Sequence, residues 1–470
     1  MKNENLMQTT DLVRKDKNSR FYAITWRWHF YAGLYVVPFL IMLASTGLVM
    51  LFFTGFQSRL GGLVYVAPQG NVQSLGVQAS AVLQEFPGGI LKEYIAPKVS
   101  DLASWFVIEH HDRMDVVAVN PYTATVIKTV DAEHTLYALA AKIHASLLLG
   151  GRGEHLIELA AGLGMVMLTT GLYLFWPRGS LTWRALLWPQ WDAGRRKGWK
   201  SVHRSVGFWI SGLLFLFLLT GMSWTSIWGG KLVQPLSTFP IVKSDKIPQS
   251  DSTHASLNAG DLREVPWGLE LALLPASGSG AGSPGVAVGR AVNLDGVADL
   301  AQRLGIQGQY HINVPQSATG VYTISSDTMS GDLENPFLER TVHIDRYTGR
   351  ILADVAYADY SWPAKAMTVG VALHQGVIGL WSVFLNLLLC IAVLTLCVSG
   401  ITMWWLRRPK GAWRLNAPIR PTSAPLWKGG ALVMLITAVL FPLAGGTLFA
   451  VLVLDWLLVS RISFLRKRLY

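Results

Sequence analysis

A multi-pass, mainly α-helical membrane fold carrying two small α+β outer domains is predicted from three observations. Long apolar runs recur along the chain, basic residues gather in alternate connecting segments, and one pattern of histidine, strand and turn occurs twice. Half of the 470 residues are apolar (51%) and only 15% are charged. Five runs each exceed the roughly 20 residues that cross a hydrocarbon core of about 30 Å. They extend over Phe30 to Phe53, Leu156 to Trp176, Val206 to Trp228, Leu380 to Leu406, and Gly429 to Ser460.

Charge orients these runs, because cytoplasmic flanks collect Lys and Arg. The N-terminal tail, Pro177 to Arg204, Arg407 to Lys428 and the C-terminal tail together hold 23 of the 40 basic residues and only 4 acids. Those segments are expected inside, and the two long stretches between them, from Gln69 and from Gly230, outside. The net charge of +11 is therefore a topology signal, not a nucleic-acid footprint. The first apolar run is too long for a cleavable signal, and no small-x-small site follows it. The last run, 32 residues interrupted by Pro442 and Gly445-Gly446, is too long for one span. A helical hairpin keeps its basic tail, Arg466 to Arg468, inside; one kinked helix is the alternative.

Repetition supplies the candidate site. His29 precedes Gly33 by 4 residues and Gly47 by 18, and His203 stands in the same relation to Gly207 and Gly221. At about 100° per residue, each set falls on one stripe of a helix. Thr46 and Thr220 precede the second glycine of each set. Imidazole within hydrocarbon is costly without a partner, so an intramembrane His is a functional candidate, more so when duplicated. Two further histidines match, His144 before the second helix and His374 before the fourth, and those helices carry Thr170-Gly171 and Ser399-Gly400. Neutral imidazole is a usual axial ligand of haem iron, and glycine beside it lets a flat macrocycle approach. His29 with His203 matches in depth at the inner face, and His144 with His374 at the outer. The bland alternative is helix ends hydrogen-bonded to water or lipid, with the glycines serving close packing.

Between the helices, Asn120-Pro121-Tyr122-Thr123-Ala124 reads like Asp345-Arg346-Tyr347-Thr348-Gly349, each as a turn between two strands. Ala124 replaces Gly349, which predicts a different turn in the first copy. Ile95-Ala96-Pro97 similarly matches Asn313-Val314-Pro315.

These paired strand-turn-strand units, clamped between helices bearing Trp-x-x-His or Trp-x-x-x-His and Thr-Gly, resemble the PepSY-associated transmembrane family over residues 20 to 460. The resemblance implies the following layout: a cytoplasmic tail over 1–25, helix one over 26–55, a periplasmic PepSY-like domain over 56–154 and helix two over 155–176. A loop over 177–202, helix three over 203–228, a second such domain over 229–373 and helix four over 374–406 follow. A loop over 407–428, a C-terminal hairpin over 429–460 and a tail over 461–470 complete it. It also implies a bacterial inner-membrane protein of iron uptake, similar to ferric-siderophore reductases, holding two b-type haems on His29, His203, His144 and His374. The implied partners are a ferric siderophore or other ferric chelate, membrane lipids, and quinol or a cytoplasmic reductase as electron donor. A membrane-anchored PepSY binding or regulatory protein without redox chemistry is the alternative, and a permease using Glu158 and Asp455 a third.

Weaker candidates are His155, as a reserve outer ligand, and His110-His111, whose side chains are expected on opposite faces of a strand. Cys390 and Cys397 lie too far apart along one helix for a disulfide and read as packing residues. No Cys-x-x-Cys-His is present, so any haem is held noncovalently. Gly278 to Gly282 reads as a flexible linker, and no phosphate loop is present. Trp26, Trp28, Trp176, Trp199, Trp404 and Trp405 are expected as interfacial anchors.

Overall fold

The computed structural model describes residues 2–59, 62–111, 113–176, 182–190, 195–258, 264–408, 418, 428–454 and 457. In chain order the first half runs α1 (Lys2–Phe56), α2 (Leu75–Glu85), β1 (Ile90–Ile95), β2 (Ser104–His110), β3 (Arg113–Val119), β4 (Val126–Asp131), α3 (Leu136–Ser146) and α4 (Gly151–Phe175). A short α5 (Trp183–Leu187) leads into α6 (Arg195–Gly221) and α7 (Gln234–Ser237). The second half adds β5 (Gln249–Thr253), β6 (Leu273–Pro275), α8 (Leu294–Arg303), β7 (His311–Asn313), β8 (Val321–Ser326), β9 (Arg340–Asp345) and β10 (Ile351–Ala356). It closes with α9 (Trp362–Gln375), α10 (Leu380–Arg407), α11 (Lys428–Leu440) and α12 (Pro442–Leu454).

The chain divides into two compact units: 1–47, 144–230 and 387–470 in one, 48–143 and 231–386 in the other. Among the described residues, four helical stretches are long and apolar enough to cross a membrane: Phe21–Phe56, Gly151–Phe175, Arg195–Trp224 and Leu380–Arg407. The fourth begins at Leu380, not at 374. Gly376 and Gly379, at φ of 75° and 76°, take left-handed conformations that end α9 and separate it from α10.

Within the membrane-helix unit, small residues permit close packing. A Cβ on Gly162 of α4 would lie 2.7 Å from Ala444 Cβ of α12. The final apolar stretch is broken at Phe441 before Pro442, and Gly445 packs against the Ala438 backbone. Each resulting helix has 13 residues, about 20 Å of rise, which is short of a hydrocarbon core. Trp228 Nε1 donates to Leu440 O (2.9 Å), the last carbonyl of α11.

The other unit corrects the expectation of two separate outer domains. Its two halves share one eight-stranded antiparallel sheet, ordered β10-β9-β8-β7-β1-β2-β3-β4. Each half is a four-strand meander, and the halves join where the equivalent strands β1 and β7 pair antiparallel, Tyr94 opposite Ile312 and Ile95 opposite His311. Two copies of one motif meeting along the same edge produce an isologous, two-fold-like contact, and this contact leaves neither edge open. Period-2 alternation sends Tyr94, Phe106, Val117, Ile312, Ile324 and Val342 to one face, where α2 and α8 cover them in a single core. Asp295 of α8 also accepts from Leu75 N (2.6 Å) and Gly76 N (3.1 Å), capping α2 from the opposite half.

The opposite face differs between the halves. In the first it is apolar, with Ile95, Trp105, Val107, Val116 and Ala118. In the second it is polar yet buried, with His311, Asn313, Thr323, Thr341 and His343.

The repeated turns agree more closely than their sequences predict. Ala124 adopts φ of 54° where Gly349 has 67°. Ala124 N donates to Asn120 O (2.8 Å) as Gly349 N does to Asp345 O (2.9 Å), and the side-chain oxygen of Asn120 or Asp345 accepts from the tyrosine N two residues on. The Asx bonds hold the turn even where the left-handed residue carries a methyl group. Gly278 to Gly282 is likewise no free linker. Gly278 N donates to Asp345 Oδ2 (2.7 Å), Arg350 holds Ala281 O (3.0 Å), and Ser283 bridges Ile351 along the edge of β10.

Candidate functional site

In the membrane-helix unit, His29 of α1 and His203 of α6 face one another, with ring centroids 6.3 Å apart and planes at 89°. Each ring is seated by a different helix. His29 Nδ1 lies 3.0 Å from Met167 O and 3.1 Å from Thr170 Oγ1 of α4. His203 Nδ1 lies 3.2 Å from Leu396 O and 2.9 Å from Ser399 Oγ of α10.

A carbonyl only accepts, so Nδ1 is the protonated nitrogen in both rings. The hydroxyls agree, since Thr170 donates to Val166 O (2.8 Å) and Ser399 to Leu396 O (3.0 Å), leaving their oxygens as acceptors. In the neutral ring, Nε2 is then the nitrogen that carries the lone pair. The glycine after each hydroxyl makes room: a Cβ on Gly171 would stand 3.1 Å from His29 Cε1, and one on Gly400 3.6 Å from His203 Cε1.

His144 repeats the seat. Its Nδ1 is 2.9 Å from Thr46 Oγ1, which donates to Met42 O (2.8 Å), and a Cβ on Gly47 would lie 3.8 Å from its Cε1. Thr46-Gly47 thus serves a histidine of another helix rather than flanking His29. Gly33 and Gly207 do stand beside His29 and His203, and a Cβ on either would meet one flexible side chain, Met167 Sδ at 3.9 Å or Leu396 Cδ2 at 3.6 Å. His374 belongs to the other unit, half-buried at the end of α9, where Asn386 Nδ2 donates to its carbonyl (3.1 Å).

The His29–His203 arrangement fits a metal held between imidazoles. Two imidazole–metal bonds of about 2 Å each, extended by the ring at either end, span a separation of this size. The Nδ1–H bonds to carbonyl and hydroxyl fix the tautomer and orientation that such ligation needs.

The sequence profile of the PepSY-associated TM region matches residues 26–407. The chain belongs to the PepSY-associated transmembrane family. No curated protein sequence matches it. A transmembrane region agrees with the four helices that, among the described residues, are long and apolar enough to cross a membrane, and every histidine of the sequence repeat lies within the matched span.

The unit that carries the sheet holds a second cluster that sequence reasoning missed. On the buried polar face, His311 of β7 sits between two carboxylates, with Nδ1 2.9 Å from Glu93 Oε1 and Nε2 3.1 Å from Asp332 Oδ1. Burial lowers the imidazole pKa, but Asp332 and Glu93 together hold it well above its ordinary value. Burial, reinforced by Glu93, raises Glu264 to about 7. Beside them His254 Nδ1 donates to Ala272 O (2.8 Å), so its Nε2 accepts from His343 Nε2 (2.9 Å). Burial pushes His254 down to about 4, and both rings of that pair stay neutral. The available signal was alternation, since His311-Ile312-Asn313 sends two polar residues to a face opposite a core isoleucine.

Other candidates resolve differently. Glu158 accepts from Ile227 N (3.1 Å) and Trp228 N (3.2 Å), so its carboxylate caps backbone after α6. Asp455 lies outside the described residues. His155 is exposed on α4. His110 and His111 do not point apart, because His111 turns at φ of 51° and the ring centroids come to 4.0 Å. Cys390 and Cys397 are both free thiols.

Proposed function

We propose that the chain is a haem-b electron-transfer protein of the bacterial inner membrane that reduces extracytoplasmic ferric chelates during iron uptake. The observation carrying it is the His29–His203 pair: two imidazoles on different helices, ring centroids 6.3 Å apart, each anchored at Nδ1 so that the neutral ring offers its lone pair at Nε2. Haem bound there would supply one-electron carriage.

The chain's own residues set the conditions. Met167 O with Thr170, and Leu396 O with Ser399, fix each ring and keep its proton on Nδ1, so no proton need leave for Nε2 to act as a ligand. The glycines admit the rings at close range, and Gly33 and Gly207 leave the flanks of the pair to side chains that can yield. His144 shares the hydroxyl–glycine seat, and His144 with His374 is assigned to a second haem by the sequence repeat. Quinol or a cytoplasmic reductase is the proposed donor and a ferric siderophore the acceptor. Reduction weakens a hard ferric chelate and frees ferrous iron.

A reduced-minus-oxidised spectrum of membranes containing the protein tests this. A b-type signal is expected, and His29→Ala and His203→Ala should each remove one of two haems per chain. Absence of the signal when haem is plentiful would overturn the proposal in favour of a PepSY binding or regulatory protein.

A further inference from the structure

At the seam between the two repeats, Glu93 of β1, His311 of β7 and Glu264 of the segment before β6 bring one nitrogen and two carboxylate oxygens within 4.8 Å of one another. A cavity of about 20 Å³ lies against them, with His254, Asn313 and Thr341 also in its wall. That is room for about one water or one ion. Glu93 is 4% exposed, and its Oε2 has no hydrogen-bond partner among the described residues. A buried carboxylate oxygen without a partner is costly, and such an atom in a native interior points to a missing ligand.

The surrounding contacts orient the donors. Asn313 Nδ2 donates to Glu93 Oε1 (3.0 Å), which leaves Oε2 as the free corner of that carboxylate. His311 Nε2 is held by Asp332 Oδ1 (3.1 Å), the carboxylate–histidine pairing that positions a metal-binding imidazole through its other nitrogen. Glu264 is placed by its backbone, since Asn258 Oδ1 accepts from Glu264 N (2.8 Å) and Ser330 Oγ donates to Glu264 O (3.2 Å). Three ligand groups and the side chains that support them, drawn from both repeats, thus converge on one small space.

We propose that Glu93, Glu264 and His311 bind a first-row divalent cation that staples the two halves of the sheet together. Two carboxylates with one imidazole suit Mn²⁺, Fe²⁺ or Zn²⁺ better than a thiolate-seeking ion. The cation replaces the proton that His311 Nδ1 now shares with Glu93, so His311 becomes a neutral ligand and two carboxylates balance the double charge. This site does not depend on haem binding by the membrane helices.

The test uses Mn²⁺ as probe, because it is visible by electron paramagnetic resonance and binds imidazoles without a carboxylate partner weakly. The full chain, purified in detergent and stripped with chelator, is titrated with Mn²⁺. One equivalent should bind per chain, be displaced by Zn²⁺, and increase amide protection of β1 and β7. Glu93→Gln and Glu264→Gln should each weaken binding at least tenfold, with amide protection in β8 and β9 reporting that the sheet still folds. Should Glu93→Gln unfold the unit, Glu264→Gln, on a half-buried segment, decides alone. Failure of the wild-type chain to bind Mn²⁺ would overturn the proposal, as would wild-type affinity in the variants.

Discussion

His29 and His203 are related by the repeat, but their seats are not equally tight. A Cβ on Gly171 would press on His29 Cε1 at 3.1 Å, closer than an ordinary carbon contact, whereas one on Gly400 would meet His203 Cε1 at 3.6 Å. His29 cannot retreat without losing its bonds to Met167 O and Thr170. Gly171→Ala is therefore expected to displace the ring at a cost of about 1–3 kcal/mol, while Gly400→Ala stays near neutral. The measurement is haem per chain and the b-type spectrum of each variant. Equal loss in both would show that ring crowding does not govern the seat. The histidines themselves were legible, because the repeat put them at matching positions. Their hydroxyl–glycine seats were not, since a one-helix stripe reports which residues share a face and not which neighbouring helix they meet.

Among the elements, the paired turns separate what a motif encodes from what it tolerates. The Asx oxygen and the tyrosine N–H recur in both copies, yet only Gly349 has the residue that a left-handed backbone prefers. Ala124 bears the steric cost of φ at 54°, about 1–2 kcal/mol, part of which glycine's extra freedom in the unfolded chain offsets on replacement. Ala124→Gly should accordingly stabilise the sheet-bearing unit by about 0.5–1 kcal/mol. Gly349→Ala should destabilise it by more than that, because its Cβ would fall 2.8 Å from Val286 Cβ as well as in the left-handed region. Denaturant midpoints of the two variants decide the matter, and a loss in Ala124→Gly would contradict the strain assigned to this turn. The strands and turn were readable from alternation and from Asn-Pro-Tyr-Thr or Asp-Arg-Tyr-Thr. The similar conformation of the two turns was not, since a local Ala/Gly difference argued against it.

The two repeats share one sheet, and that shared sheet creates the polar cluster at its seam. Nothing in either repeat alone indicates that β1 will pair with β7, because edge pairing leaves no periodic mark and Glu93 and His311 stand 218 residues apart. The consequence for stability is that the core beneath α2 and α8 belongs to both halves, although each half also keeps a smaller apolar cluster of its own. Ile312 is fully buried at the junction, opposite Tyr94, in a cluster that takes in Val82, Phe106 and Val117 from the first half and Val297, Ile324 and Val342 from the second. Ile312→Ala removes side-chain volume from both sets of contacts at once and should cost about 2–5 kcal/mol. If the sheet is one cooperative unit, amide exchange in β2 and β3 should accelerate by the same factor as in β8 and β9, although the substitution lies in β7. Faster exchange confined to β8 and β9 would show instead that the halves open independently, with the seam a docking contact between two domains.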